Sequence, residues 1–336
     1  MALRVSPRSP FEEYHVGQVL DLKPDDAHCS YSSLSSPIFA RIRELHSQTL
    51  SYTMVIDILH SDGSVNTSSS PAFLKLYDRR FAVQDREDNG IKPWTREVEQ
   101  AYIDGLKAGT VSKFLHDLHT IEDFQHDTED DWDDVQLEAS LGDVQRRMYN
   151  TETKVYSILR EYQGSLIPKL LAAVTLEHSL PATNGAGQEN GNKEKMNRLY
   201  VKGILLQYIE GFDLGSMMDH APRGSWQGLL DQAVAIVRTI GEHHLMNRDV
   251  RPANFIVTRT REDYYQVYMI DFALCEFKGE HESDAEWALA KWSRDEDGAI
   301  GLVMQKRVEK ASGVKLRYEV SFRFLEEAKR GGLRQE

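Results

Sequence analysis

The chain has 336 residues, 40% of them hydrophobic and 28% charged, with a formal net charge of −13 and two cysteines. That length allows a large buried core and either two domains or one domain of two lobes. Cys29 and Cys275 are too few for a disulfide framework and fit a reducing compartment. No apolar stretch approaches the ~18–20 residues of a membrane helix. The first twenty residues lack the apolar core of a secretory signal, so an intracellular, cytoplasmic protein is expected.

Charge is unevenly placed. Between positions 116 and 143 there are eleven Asp or Glu and no Lys or Arg, and without that window the chain is nearly neutral. Neither part offers the clustered positive charge that displaces counterions from a phosphate backbone, which argues against nucleic-acid binding.

In chain order, SYTMVIDIL (51–59) and PAFLKLY (71–77) are rich in β-branched and aromatic residues and predict strands, parted by a turn rich in Gly, Asn and Ser. WTREVEQAYIDGLKAG (94–109) predicts a polar-faced helix. The acidic window predicts a solvated, mobile insert over 110–146, through which a protein partner could bind. TETKVYSILREYQG (151–164) places Val155, Ile158, Leu159 and Tyr162 at helical spacing and ends at a glycine. Two strands, LLAAVTLE and NRLYVKGILLQYI, flank a flexible loop over 181–197. Beyond Gly211, a helix with Leu229, Leu230, Ala233, Val237 and Ile240 on one face precedes a hairpin, FIVTR and YYQVYMID. The remainder from Phe272 reads as mostly helical. The expected organisation is an N-terminal lobe over 1–211 and a C-terminal lobe over 212–336.

Four signals bear on chemistry. Lys75 lies inside an apolar strand, where a lysine alone reads as solvent-facing. Glu152 falls in the first turn of the predicted 151–164 helix, where the dipole favours a carboxylate. Asp249 and Asn254 stand five residues apart on a loop broken by Pro252, and Asp271 follows Asp249 by twenty-two residues at a strand end. Oxygen donors of this kind suit Mg²⁺, which takes one or two carboxylates and completes its shell with phosphates and water. His116, Asp117, His119 and His126 read as solvated side chains rather than a metal cluster.

AFLKLY resembles the ATP-lysine strand of protein kinases, NRDVRPAN resembles their HRDxxxxN catalytic loop, and IDFA resembles their DFG metal motif. More narrowly, KLYDRRFA, REYQGSLIPKLL and DAEWALAKWSRDEDGAIG together resemble the kinase-like proteins common in filamentous fungi, from about 36 to 306. The resemblance implies an α+β, bilobal protein-kinase-like fold with a β-rich N-lobe and a reduced helical C-lobe. It also implies an ATP-dependent phosphotransferase that uses Mg²⁺ and a hydroxyl acceptor. By it, Lys75 would hold the α- and β-phosphates of ATP and pair with Glu152, with Glu161 as the alternative partner. Leu206 would lie behind the adenine, and Gln207, Tyr208 and Ile209 would present backbone groups to it. Asp249 would orient the acceptor and take its proton, Arg251 would contact the transferred phosphoryl group, and Asn254 and Asp271 would hold Mg²⁺.

The chain departs from the family at defined places. SPIFARIRELHSQTLSYTMV has no glycine where the family's phosphate-covering loop belongs, Asn247 replaces His, and Ala273 replaces Gly. No APE motif follows, and 65 residues remain after Asp271, which suits a small-molecule acceptor better than a long peptide. Two other readings stay open: a pseudokinase acting as a nucleotide-binding or interaction module, and a small-molecule kinase of the aminoglycoside or choline type.

Overall fold

The computed structural model describes residues 8–25, 37–66, 70–178, 197–261 and 264–331. Cys29 and nearly all of the loop expected over 181–197 lie outside the described residues. Contacts divide the chain into two units: Met1–Asn150 with Leu170–Tyr208, and Thr151–Lys169 with Ile209–Glu336. The change of unit therefore falls between Tyr208 and Ile209, near the expected Gly211. Residues 151–169, expected in the N-terminal lobe, belong with the second unit.

The first unit contains β1 (Val19–Pro24), β2 (Ile38–Gln48), β3 (Tyr52–Leu59), β4 (Ala72–Tyr77), β5 (Leu170–Leu176) and β6 (Val201–Gln207). They close into an antiparallel barrel in the order β1, β2, β3, β4, β6, β5, with Leu22 of β1 opposite Leu176 of β5. Side chains alternate across a strand, so one face of each can fill the interior. Leu20, Leu22, Ile38, Ala40, Ile42, Met54, Ile56, Leu74 and Leu76 do so. A register shift between Ile42 and Glu44 supplies the local twist that closure demands.

The acidic segment is not a mobile insert. After α1 (Val83–Asp88) and α2 (Arg96–Ala108), the chain forms α3 (Thr110–Thr120), α4 (Phe124–Thr128) and α5 (Asp134–Ile158). Tyr102, Ile103 and Leu106 of α2 bury against Val111, Phe114 and Leu115 of α3 and Ala139 of α5, with Trp132 set edge-on to Phe114 at 4.9 Å. The acidic side chains mostly occupy the opposite faces. Apolar residues at 111, 114, 115 and 118 repeat at helical spacing beneath the charge, and burying that stripe outweighs the repulsion above it. Gly109 makes the α2–α3 turn in a left-handed conformation, φ 85°.

The second unit holds β7 (Phe212–Asp213), β8 (Leu245–Asn247), β9 (Phe255–Arg261), β10 (Tyr264–Met269) and β11 (Cys275–Phe277). Its helices beyond α5 are α6 (Met217–His220), α7 (Trp226–Gly241), α8 (Asp284–Arg294), α9 (Glu296–Ser312) and α10 (Arg323–Arg330). β9 and β10 form the expected hairpin, Val257 opposite Val267, and β7 pairs with the other edge of β9. Gly211 is required beside that edge, because a Cβ there would stand 2.1 Å from the Val257 carbonyl oxygen. β8 pairs with β11, Asn247 opposite Cys275. α7 buries the predicted apolar face. Among the described residues, no helix is long and apolar enough to cross a membrane.

Where β4 leaves the barrel, the sequence Asp78-Arg79-Arg80 enters a buried ion cluster. Arg79 pairs with Glu99 at 2.6 Å and with Glu138, which also holds Arg86 at 2.8 Å. Arg80 pairs with Asp78 at 2.5 Å, and the Tyr14 hydroxyl donates to the same carboxylate at 2.8 Å. His178 borders this cluster with its Nδ1 2.9 Å from the Leu199 carbonyl and its Nε2 3.5 Å from Arg80. A proton on Nδ1 serves the carbonyl, and a second on Nε2 would face a guanidinium. Burial first, then Arg80, brings the His178 pKa down to about 3.

The unfolded histidine titrates near 6.5, so the stability this neutral ring contributes is intact above that pH and is lost as pH falls toward 3. His178→Gln removes that term. The difference in unfolding free energy between wild type and variant should shrink by about 1.4 kcal/mol per pH unit below pH ~6, as read by urea unfolding. A pH-independent difference would contradict the assignment.

Candidate functional site

The loop from β8 to β9 is ordered by its own side chains. Arg251 precedes Pro252 in extended backbone, φ −153° and ψ 156°, as a pre-proline residue prefers, and Pro252–Asn254 then makes a short 3₁₀ turn. Asn254, 5% exposed, donates from Nδ2 to the Asp249 carbonyl at 2.8 Å and to Asp249 Oδ2 at 2.9 Å. Arg251 Nε lies 3.2 Å from that same oxygen. Asp249 Oδ1 accepts no hydrogen bond from the described residues and belongs to a side chain that is 25% exposed. Asp249, Arg251 and Asn254 are thus one group, joined by two hydrogen bonds from Asn254 and an ion pair from Arg251.

Asn247, wholly buried, uses three of its polar groups. Its backbone N–H donates to Glu296 Oε1 at 2.7 Å, its Oδ1 accepts from the Asp249 N–H at 2.8 Å, and its Nδ2 donates to the Asp271 carbonyl at 3.1 Å. Buried Lys291 pairs with Glu296 and donates to the Leu245 carbonyl at 2.7 Å. Lys291 and Glu296 were not singled out in the sequence. The signal for Lys291 was a lone cation in the apolar run WALAKW, and for Glu296 an acid opening a helix.

Asp271 has φ +67°, a left-handed conformation that Asp tolerates better than most residues. Ala273 is not among the positive-φ residues, so the missing glycine costs nothing at that position. Phe272 is buried with its ring 5.7 Å from Tyr156 at 87°. The Tyr156 hydroxyl is buried without a hydrogen-bond partner among the described residues. Burial, then the Glu152 and Asp271 carboxylates, raise its pKa well above the ordinary tyrosine value. The buried Cys275 thiol is likewise pushed up, chiefly by burial and further by Glu296, Glu152 and Asp271, so it is no nucleophile. Glu152 and Asp271 therefore belong to one electrostatic neighbourhood. Glu152 lies late in the 25-residue α5 rather than in a first turn, so the expected help from the helix dipole does not apply.

Among the first-unit candidates, Lys75 sits in β4 between Thr53 and Ile204, on the strand face opposite the interior Leu74 and Leu76. It is 5% exposed, not solvent-facing, with Nζ 5.5 Å from the Tyr77 ring centre. Leu206 is buried opposite Phe73, Gln207 ends β6, and Tyr208 closes the first unit where Ile209 begins the second. The glycine-free segment forms β2 and β3, joined over residues 49–51.

Among the described residues, no three His, Cys, Asp or Glu side chains converge as a metal site. His119 instead contacts Asp143 at 3.1 Å. Mg²⁺ needs only one or two carboxylates when phosphates supply the rest. The Asp271 carboxylate and the Asn254 amide oxygen have the right hardness, and the Ile270 N–H donates to the Asn254 carbonyl at 2.9 Å, linking the two segments.

No family model matches the chain, and no curated protein matches it in sequence. Among solved structures, the chain is similar to the Rio2 kinase in an ADP/Mg²⁺-phosphoaspartate complex from Chaetomium thermophilum. The TM-score is 0.45 and the identity 11%, over 86% of this chain and 61% of that one. The chain thus spans less than two thirds of that kinase's length, and a likeness of this extent assigns no activity.

Asn247→Ala strips partners from Asp249 and Asp271, and should cost ~2 kcal/mol or more in urea unfolding. Tyr156→Phe, which removes a buried hydroxyl that has no partner, should be neutral or stabilising by up to about 1 kcal/mol. The reverse order of effects would contradict this hydrogen-bond assignment.

Proposed function

We propose that the chain is an ATP-dependent phosphotransferase of protein-kinase-like fold that passes the γ-phosphoryl group of Mg·ATP to a hydroxyl. The observation that supports this reading best is the joined set Asp249, Arg251 and Asn254, tied through Asn247 to Asp271. In it, Asp249 Oδ1 accepts the proton of the acceptor hydroxyl while Asn254 fixes Oδ2. Arg251 offers its guanidinium to the charge on the transferred group. Asp271 and Asn254 would hold Mg²⁺, which supplies charge neutralisation at the phosphates. Lys75 takes the α- and β-phosphates with Glu152 as its partner carboxylate, and Leu206, Gln207, Tyr208 and Ile209 serve the adenine. The acceptor is a protein or small-molecule hydroxyl.

One observation favours a second reading, a pseudokinase that binds nucleotide or a partner without transfer. The β2–β3 hairpin lacks the glycines that let a loop approach phosphates closely.

A screen of hydroxyl acceptors with γ-labelled ATP separates the two. Asp249→Asn should lower transfer by a factor of ~10²–10⁴ and leave nucleotide binding in place, whereas Asp271→Asn should lose both. Nucleotide binding with no transfer to any acceptor would favour the second reading, and transfer undiminished in Asp249→Asn would refute the assigned base.

A further inference from the structure

A cavity of ≈ 40 Å³ lies wholly within the first unit, where the end of β4, α2, α5 and the start of β6 meet. Five cations line it, Arg79, Arg80, Arg146, Arg198 and Lys202, together with the carboxylates of Asp78 and Glu99. Three are neutralised, Arg79 by Glu99 and Glu138, Arg80 by Asp78, and Lys202 by Asp25 at 3.0 Å. Arg146 and Arg198 have no carboxylate partner among the described residues. Asp143, which acts on Arg146 electrostatically, is engaged by Arg147 at 3.3 Å and His119 at 3.1 Å. Arg146 donates from Nη2 to the carbonyl of Asn197, the residue before Arg198, at 3.0 Å.

Both guanidinium groups are half-buried, and burial together with Arg198 lowers the Arg146 pKa from the usual arginine value. Like charges held together in a partly dry cavity are a standing electrostatic cost, and folds keep such costs where a ligand relieves them. Guanidinium forks match the oxygens of a phosphate in a bidentate way. The cavity is small, and its guanidinium lining suits a tetrahedral oxyanion.

We propose that this cavity binds a phosphate group, gripped by Arg146 and Arg198. The group arrives as the free ion or as the end of a small phosphomonoester. The site is built from first-unit residues alone and does not depend on the Asp249 loop.

Thermal unfolding of the full chain tests this, with inorganic phosphate or phenyl phosphate set against chloride at equal ionic strength. Phosphate should raise the midpoint saturably and chloride should not. A rise with phenyl phosphate too identifies an open site for phosphomonoesters, and a rise with the inorganic ion alone identifies a closed one. Arg198→Gln should weaken the apparent affinity about tenfold or more. Without phosphate it should unfold no earlier than wild type, since it relieves the repulsion, and this separates a lost ligand from a lost fold. Asp271→Asn should keep the full phosphate effect. An equal rise in chloride, or undiminished affinity in both Arg198→Gln and Arg146→Gln, overturns the proposal.

Discussion

The buried hydrogen bonds of Asn247 tie together parts of the second unit that stand far apart in sequence: the turn carrying Asp249, the backbone of Asp271, and the first turn of α9 through Glu296. Lys291 balances the Glu296 charge, so the asparagine rests on an ion pair that is itself buried. Removing either ion would strand the other in a dry environment, a far larger penalty than the pair's net contribution. The loop carrying Asp249 is thereby fixed from behind, with Asp249 Oδ1 accepting no hydrogen bond from the described residues. A neutral histidine also carries one donor and one acceptor, and the Asn247 amide supplies the same pair on a shorter side chain.

The first unit solves a related problem differently. Arg79, Arg80 and Arg86 are all buried, and each meets a carboxylate, which locks the exit of β4 onto α2 and α5. Against this background of compensated charge, Arg146 and Arg198 stand out. The same helix, α5, carries Glu138, which satisfies two arginines, and Arg146, which has no carboxylate partner among the described residues.

Much of the fold was legible. β3 to β6, α2, α7 and the β9–β10 hairpin follow from alternation and helical spacing, which are local signals. β1 and β2 were not read as strands, and barrel closure could not be, because the pairing of Leu22 with Leu176 joins segments 154 residues apart. The acidic stretch was misread because charge density drew attention from the apolar stripe of Val111, Phe114, Leu115 and Leu118 beneath it. At the candidate site, the spacing of Asp249, Asn254 and Asp271 marked residues that the fold does link. Glu152 was placed in the wrong part of its helix because the helix begins seventeen residues earlier than the pattern at Thr151 suggested. Glu296 and Lys291 stayed hidden because a buried ion pair leaves no periodic trace.

If Asp271 and Asn254 are metal ligands that rely on phosphate oxygens, the chain should bind a divalent ion only together with nucleotide. Titrating the full chain with Mn²⁺ in place of Mg²⁺, and following free Mn²⁺ by electron paramagnetic resonance with and without ADP, reads this out. The proposed function predicts little binding without ADP, one ion per chain with it, and loss of that ion in Asp271→Asn. Mn²⁺ uptake that is indifferent to ADP, or unchanged in Asp271→Asn, would contradict it.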